Sequence, residues 1–132
     1  MGYLIDTNIA IHARDGHVGV SAKLVEHDSA VFLSSLSLAE LQRGFYSRED
    51  VAGVRRMRTE QLLLGVPVLP FDEAAARAYG GVVAVMGWSR TRDFDRLIAA
   101  HAIATRHVLV TANVADFTGV PGLAFENWVN DP

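Results

Sequence analysis

Cysteine is absent from the 132-residue chain, which removes disulfide scaffolds, thiolate zinc sites, iron–sulfur clusters and cysteine nucleophiles together. Lysine is almost absent: Lys23 stands alone beside the arginines, and because Ala22 precedes it no Gly-Lys-Ser/Thr phosphate loop can form. Long apolar runs are missing, since Asp6, Arg14, Glu40, Arg77 and Arg96 interrupt every stretch approaching the ~18 to 20 residues needed to cross a bilayer. The opening Met1-Gly2-Tyr3-Leu4-Ile5-Asp6 has no basic region, and Asp6 stands where an N-myristoylation signal requires Ser or Thr, so neither export nor lipid anchoring is expected. These absences fit a cytoplasmic protein. No serine occupies a Gly-x-Ser-x-Gly elbow, and the histidines show neither an i,i+4 pair nor His-Glu-x-x-His, which disfavours a serine hydrolase and a histidine-held metal. His101 reads as a structural helix residue.

Half of the residues are hydrophobic and a fifth charged, with a net charge of -3, the balance of a globular chain rather than a disordered one. With no repeat, low-complexity tract or linker, residues 1–132 are expected to form one domain. Gly2 to Ile5 is an apolar run of the buried-strand type, followed by Asp6-Thr7-Asn8 and a short helix through Ile9 and Ile11. Val18 to His27 reads as a helix and Ala30 to Leu33 as a second strand. Ser37-Leu38-Ala39-Glu40 matches a capping box and predicts a helix from Ser37 toward Tyr46. A helix from Asp50 to Leu64, a strand over Val66 to Pro70, an alanine-rich helix from Asp72 to about Met86, and a helix opening at Asp93 or Asp95 come next. His107 to Val110 forms a fourth strand and Leu123 to Phe125 a fifth. Short, wholly apolar strands alternating with helices predict an α/β three-layer sandwich around a four- to five-stranded, mainly parallel sheet.

In such sheets, sites form beyond the carboxyl ends of the strands, and the residues there are acidic. Asp6 follows the first strand, Glu40 sits in the helix after the second, Asp93 and Asp95 open the helix before the fourth, and Asp116 lies in the loop after it. Each has a plain structural reading: turn former, capping-box partner, first-turn helix acid, loop residue. Taken together they point to convergence on one sheet edge, where repelling carboxylates require a cation. Oxygen donors without thiols or paired histidines suit Mg2+ or Mn2+ rather than zinc, and such ions commonly assist phosphodiester hydrolysis.

Leu4-Ile5-Asp6-Thr7-Asn8, Ser37-Leu38-Ala39-Glu40-Leu41 with Gly44, Asp95-Arg96-Leu97-Ile98-Ala99-Ala100-His101-Ala102, and Val110-Thr111-Ala112-Asn113 with Asp116-Phe117 resemble, in order, the motifs of PIN-domain nucleases. Val120-Pro121-Gly122-Leu123 with Glu126-Asn127-Trp128 resembles the ending of VapC-type toxins of bacterial toxin–antitoxin pairs. The resemblance spans the chain. It implies a PIN-like fold and a Mg2+- or Mn2+-dependent endoribonuclease with Asp6 and Asp95 as principal metal ligands. By the same resemblance Glu40 is a ligand or orients the water, and Asp116 is a weaker or water-mediated ligand. Thr7, Asn8 and Thr111 would support the acids by hydrogen bonds. Relatives often carry a second acid or Asn-Asn where this chain has Ala112-Asn113, so either Asn113 or Asp116 faces the metal, with Asp116 preferred for its charge. Asp93 would hold a water at the rim.

An RNA substrate needs local positive charge. Arg43, one turn after Glu40, and Arg90, Arg92 and Arg96 are the candidate contacts, with Arg55, Arg56 and Arg58 a second cluster; each set also reads as a solvated helix face. Gly80-Gly81 reads as a close-packing point, and Phe45, Tyr46, Tyr79 and Trp88 as core or dimer-interface residues. The resemblance further implies a transfer or ribosomal RNA target, 5′-phosphate and 3′-hydroxyl products, and a homodimer within a larger toxin–antitoxin assembly. A small VapB-like antitoxin would cover the acidic pocket, offer it an arginine, and carry the pair to promoter DNA. The competing readings are an inert PIN-like module that binds RNA or protein, which the four intact acids oppose, and a PIN nuclease of RNA processing, which the small size and toxin-like ending oppose.

Overall fold

The computed structural model describes residues 2–46 and 49–129. In chain order they form β1 (Tyr3–Ile5), α1 (Thr7–Arg14), α2 (Val18–Glu26), β2 (Val31–Ser34), α3 (Ser35–Gly44), α4 (Glu49–Gly65), β3 (Val68–Leu69), α5 (Glu73–Met86), α6 (Asp93–Thr105), β4 (Val108–Val110) and β5 (Phe125–Glu126). Two single 3-10 turns, Arg90–Arg92 and Val114–Phe117, precede α6 and follow β4. All strand pairings are parallel, in the order β3-β2-β1-β4-β5, with Leu4 opposite Phe32 on one side and Leu109 on the other. The result is the α/β sandwich expected from strand length and composition. No helix among the described residues is long and apolar enough to cross a membrane.

Alternation along β1 divides the core. Ile5, with Leu33 and Val110, faces Ile9, Ala10, Val20, Leu41, Val66 and Trp128, whereas Leu4, with Leu109, faces Val82, Ile98, Ala99, Ala102 and Phe117. Successive strand side chains point to opposite faces, so three-residue strands apolar throughout must be covered on both. The alanines of α6 at 99, 100 and 102 are fully buried and let that helix lie close to the sheet and to α5. Trp128 closes the other layer: its ring stacks on His27 at 5.6 Å and tilts against Tyr3, while its indole N–H donates to Glu126 Oε1 at 2.7 Å.

Several local expectations change. Helix α3 begins directly after β2, and its cap is Ser34, whose hydroxyl accepts from the Leu36 amide at 3.1 Å. Ser37 is already inside the helix, fully buried, and Glu40 caps nothing. The capping-box match failed because serines stand at 34, 35 and 37, and the one at which β2 ends takes the role. Gly80 and Gly81 lie exposed on α5 with no neighbour near enough to need a missing Cβ, so close packing does not explain them. Phe45 is core, but Tyr46 and Trp88 are 72% and 66% exposed.

Ser34 also lies 2.8 Å from His101 Nδ1 on α6, both residues being fully buried. Ser34→Ala removes a cap worth ~1 kcal/mol and strands a buried ring nitrogen, so denaturant unfolding should show a loss of about 2 to 3 kcal/mol. Glu40→Ala should stay within about 0.5 kcal/mol of wild type, because α3 does not depend on that carboxylate for its start.

Candidate functional site

The chain builds the sheet outward from β1 to β2 and β3, then returns to place β4 on β1's other side. The reversal between β1 and β4 opens a crevice at their carboxyl ends, and Asp6 and Thr111 are the first residues beyond those ends. Asp6 is 5% exposed. Its main-chain amide donates to Val110 O at 2.8 Å, continuing the β1–β4 pairing by one residue. Its Oδ1 accepts from the Thr7 amide at 2.8 Å as the cap of α1, and its Oδ2 accepts from Thr111 Oγ1 at 3.0 Å. The Thr111 hydroxyl is oriented in turn by the Asn113 amide at 3.0 Å. The Thr7 hydroxyl donates to Ser37 Oγ at 2.9 Å, tying this corner to α3.

Glu40 projects from α3, Asp95 from the first turn of α6, and Asp116 from the 3-10 turn after β4. Each lies near enough to at least one of the others for its charge to be felt there. Burial pushes the Asp6 carboxyl above its ordinary value, the Thr111 and Thr7 bonds pull it down, and the charges of Glu40 and Asp116 push it up again. Asp95 is pushed up to about 6, first by burial and then by Asp6 and Asp116, with Arg92 opposing and Glu40 adding to the rise. Four segments distant in sequence thus carry carboxylates whose charges act on Asp6 or Asp95. A cavity of about 410 Å3 bounded by Leu36, Ala39, Glu40, Arg43 and Phe94 opens at Glu40's side of it. Two cavities of about 460 and 470 Å3 lie elsewhere, against α2 and α4 and against α1 and α4.

Among the described residues, no group of three or more His, Asp or Glu side chains stands placed to hold a metal ion. The donor set nevertheless fits a hard, hydrated cation. Mg2+ is commonly held by one or two carboxylates with water completing its shell, and every donor here is oxygen, with the charge of Asp6 acting on Asp95.

The remaining expected residues fall in varied places. Thr7 and Thr111 hold Asp6 as described, whereas Asn8 is exposed and bonds to none of the four acids. Asn113 is exposed; its carbonyl accepts from the Asp116 amide at 3.0 Å, and it is Asp116 whose charge reaches Asp6 and Asp95. Asp93 accepts a hydrogen bond from the Tyr79 hydroxyl, joining α5 to α6, so its carboxylate is engaged away from the rim role expected of it. Arg96, expected at a substrate phosphate, is 9% exposed and donates to the Gly87 carbonyl; one helical position after Asp95 it faces the protein. Arg92, expected there too, bonds Asp116 Oδ1 through Nη1 at 2.8 Å. Arg43 is exposed and lies 3.5 Å from Glu40 Oε2, and Arg90 is exposed. Arg56 bonds the Tyr46 hydroxyl and covers the Phe45 ring, and Arg55 reaches the Gly44 carbonyl, so both steady the end of α3. Sequence reasoning missed Ser37 as the partner of Thr7; a buried serine on a helix face, aligned with a threonine after β1, gives no signal until the strand order is known.

A sequence model described as the PIN domain matches residues 3–122. The chain is 30% identical over 133 residues to Ribonuclease VapC2 of Rickettsia felis, covering 97% of this chain and 98% of that one. It is 29% identical over 132 residues to the tRNA(fMet)-specific endonuclease VapC of Salmonella typhimurium, covering 96% and 97%. Among solved structures, VapBC2 from Rickettsia felis bound to a DNA fragment from its promoter matches with a TM-score of 0.84 at 29% identity, over 97% of this chain and 99% of that one. DNA-bound VapBC from Salmonella typhimurium matches with a TM-score of 0.86 at 25% identity, over 97% and 98%.

Because the folded carboxyl of Asp95 titrates near 6 rather than 3.8, its ionisation weakens the metal-free fold above pH 6, and the penalty lifts as pH falls through 6 toward 4. Asp95→Asn should therefore be more stable than wild type at pH 7.5 by about 1 kcal/mol, allowing for solvent screening of a half-exposed group. Thermal melts in EDTA should show a gap of about 3 °C that closes by pH 4.

Proposed function

The chain belongs to the PIN-domain family, and from that premise we propose that it is a VapC-type toxin of a bacterial toxin–antitoxin pair. In this reading it is an endoribonuclease that hydrolyses phosphodiester bonds of a structured RNA, a transfer or ribosomal RNA, with Mg2+ or Mn2+ at the acidic pocket. The observation that carries the reading is the meeting of Asp6, Glu40, Asp95 and Asp116 at the switch-point edge of the sheet. Near-complete coverage of relatives named as ribonucleases and as a tRNA(fMet)-specific endonuclease supports the substrate class.

Asp6 and Asp95 are the principal ligands, Asp116 a weaker or water-mediated one, and Glu40 a ligand or the group that orients the attacking water. When bound, the cation lowers the pKa of that water and offsets the charge growing on the phosphoryl oxygens. The chain's own contribution is placement. Thr7 and Thr111 fix both oxygens of Asp6, so its lone pairs are aimed before any substrate arrives. Glu40 borders open space and can take the water's proton as the new P–O bond forms and the bond to O3′ breaks; O3′ takes a proton from solvent as it leaves, giving a 5′-phosphate and a 3′-hydroxyl. Arg43 and Arg90, both exposed, meet backbone phosphates.

The VapBC structures of Rickettsia felis and Salmonella typhimurium are both bound to DNA, and they support a VapB-like antitoxin partner within a larger assembly. In this reading the chain is a homodimer in that assembly, in the cytoplasm. The antitoxin's C-terminal segment covers the acidic pocket, offers it an arginine, and provides the contact to promoter DNA.

Purified, antitoxin-free protein should cut total cellular RNA into discrete products with Mg2+ or Mn2+ and none with EDTA. Asp6→Ala and Asp95→Ala should each lower the rate by about a hundredfold or more; Asp95→Ala should stay as stable as wild type, since it removes one charge from a repelling group, whereas Asp6→Ala should stay folded but lose about 1 kcal/mol with the cap of α1. Cleavage that persists in Asp95→Ala points to a contaminating nuclease. A folded wild type that cuts nothing across metals and RNAs would make the chain a binding module instead.

A further inference from the structure

Arg92 sits in the 3-10 turn Arg90–Arg92 and immediately precedes α6, where it occupies the cap position without making a capping bond. A helix N-terminus carries partial positive charge and disfavours a cation, so the helix itself gives no reason for an arginine there. The reason lies across the pocket: Arg92 Nη1 is 2.8 Å from Asp116 Oδ1. The contact joins the turn before α6 to the turn after β4, the two segments that carry Asp95 and Asp116. Both side chains remain partly exposed, at 47% and 37%. An ion pair in that setting is weak and easily exchanged, whereas a buried one would be costly to break.

We propose that Arg92 is the chain's own counter-ion for the acidic pocket, holding Asp116 in the metal-free protein and yielding it to an entering divalent cation. This one side chain thereby sets the cation concentration at which the pocket fills. The inference rests on the metal-dependent reading of the site. It gives Arg92 a role in cation uptake separate from phosphate contact: the guanidinium neutralises part of the carboxylate charge while the pocket is empty, and once Asp116 turns to the cation the arginine is freed toward solvent.

The test is Mn2+ binding to the full chain, read from the electron paramagnetic resonance signal of free Mn2+, in the absence of RNA. Arg92→Gln should bind about three- to fivefold more tightly than wild type, the return expected from removing one exposed competing pair. Arg92→Lys, which keeps the charge, should stay near wild type. Arg90→Gln, the same change of charge two residues away in the same turn, should shift binding by less than about twofold. Arg92→Gln binding no more tightly than wild type overturns the proposal, and weaker binding would make Arg92 a residue that presents Asp116 to the ion. So would equal tightening in Arg90→Gln, which would reduce the effect to net charge. Asp95→Asn separates the two levels: if it binds Mn2+ as well as wild type, or wild type takes up none, the metal-dependent reading falls and the counter-ion role with it. Loss of binding in Asp95→Asn with no change in Arg92→Gln removes the counter-ion role alone.

Discussion

Four carboxylates held beyond the ends of β1 and β4 repel one another across a pocket that is already partly desolvated, and much of the surrounding structure answers that repulsion. Asp6, the most buried, is held by two hydrogen bonds, from the Thr7 amide and the Thr111 hydroxyl, each favouring its ionised form. Asp95 has a helix N-terminus, which favours negative charge, and Arg92 nearby, yet burial first and the charges of Asp6 and Asp116 next push its carboxyl up to about 6. Glu40 and Asp116 lie further into solvent and each has an arginine alongside.

The sheet makes this arrangement sustainable. Its two layers of apolar side chains are distributed by strict alternation along three-residue strands, and stability comes from those layers rather than from the edge. The repulsion can therefore be concentrated at one end of the sheet while the fold is secured elsewhere, with Trp128 sealing one layer and the alanine face of α6 the other.

Much of this was legible in the sequence because it depends on local composition. Apolar strands of buried type, each followed by polar or acidic residues, identify a parallel sheet and the edge where Asp6, Glu40, Asp95 and Asp116 gather. What depends on neighbours distant in the chain was not legible. Ser37 and Glu40 have the spacing of a capping box, but where β2 ends hands the cap to Ser34. Arg96 has the composition of a phosphate contact, yet its place on the helix turns it to the Gly87 carbonyl. Arg92 and Asp116 are 24 residues apart, and nothing in either segment announces that they meet. Strand order itself, which puts β1 between β2 and β4, cannot be read from the strands.

The Ser34 hydroxyl touches two helices at once, capping α3 and meeting His101 of α6. Glu40 lies six residues after that serine, and Asp95 six residues before that histidine, about 9 Å along each helix. A single buried atom is thus the common pivot from which two lever arms of equal length carry two of the four acids. A tilt of either helix about this serine swings its carboxylate at the end of that arm, so the spacing of Glu40 and Asp95 is referred to one buried point in the core.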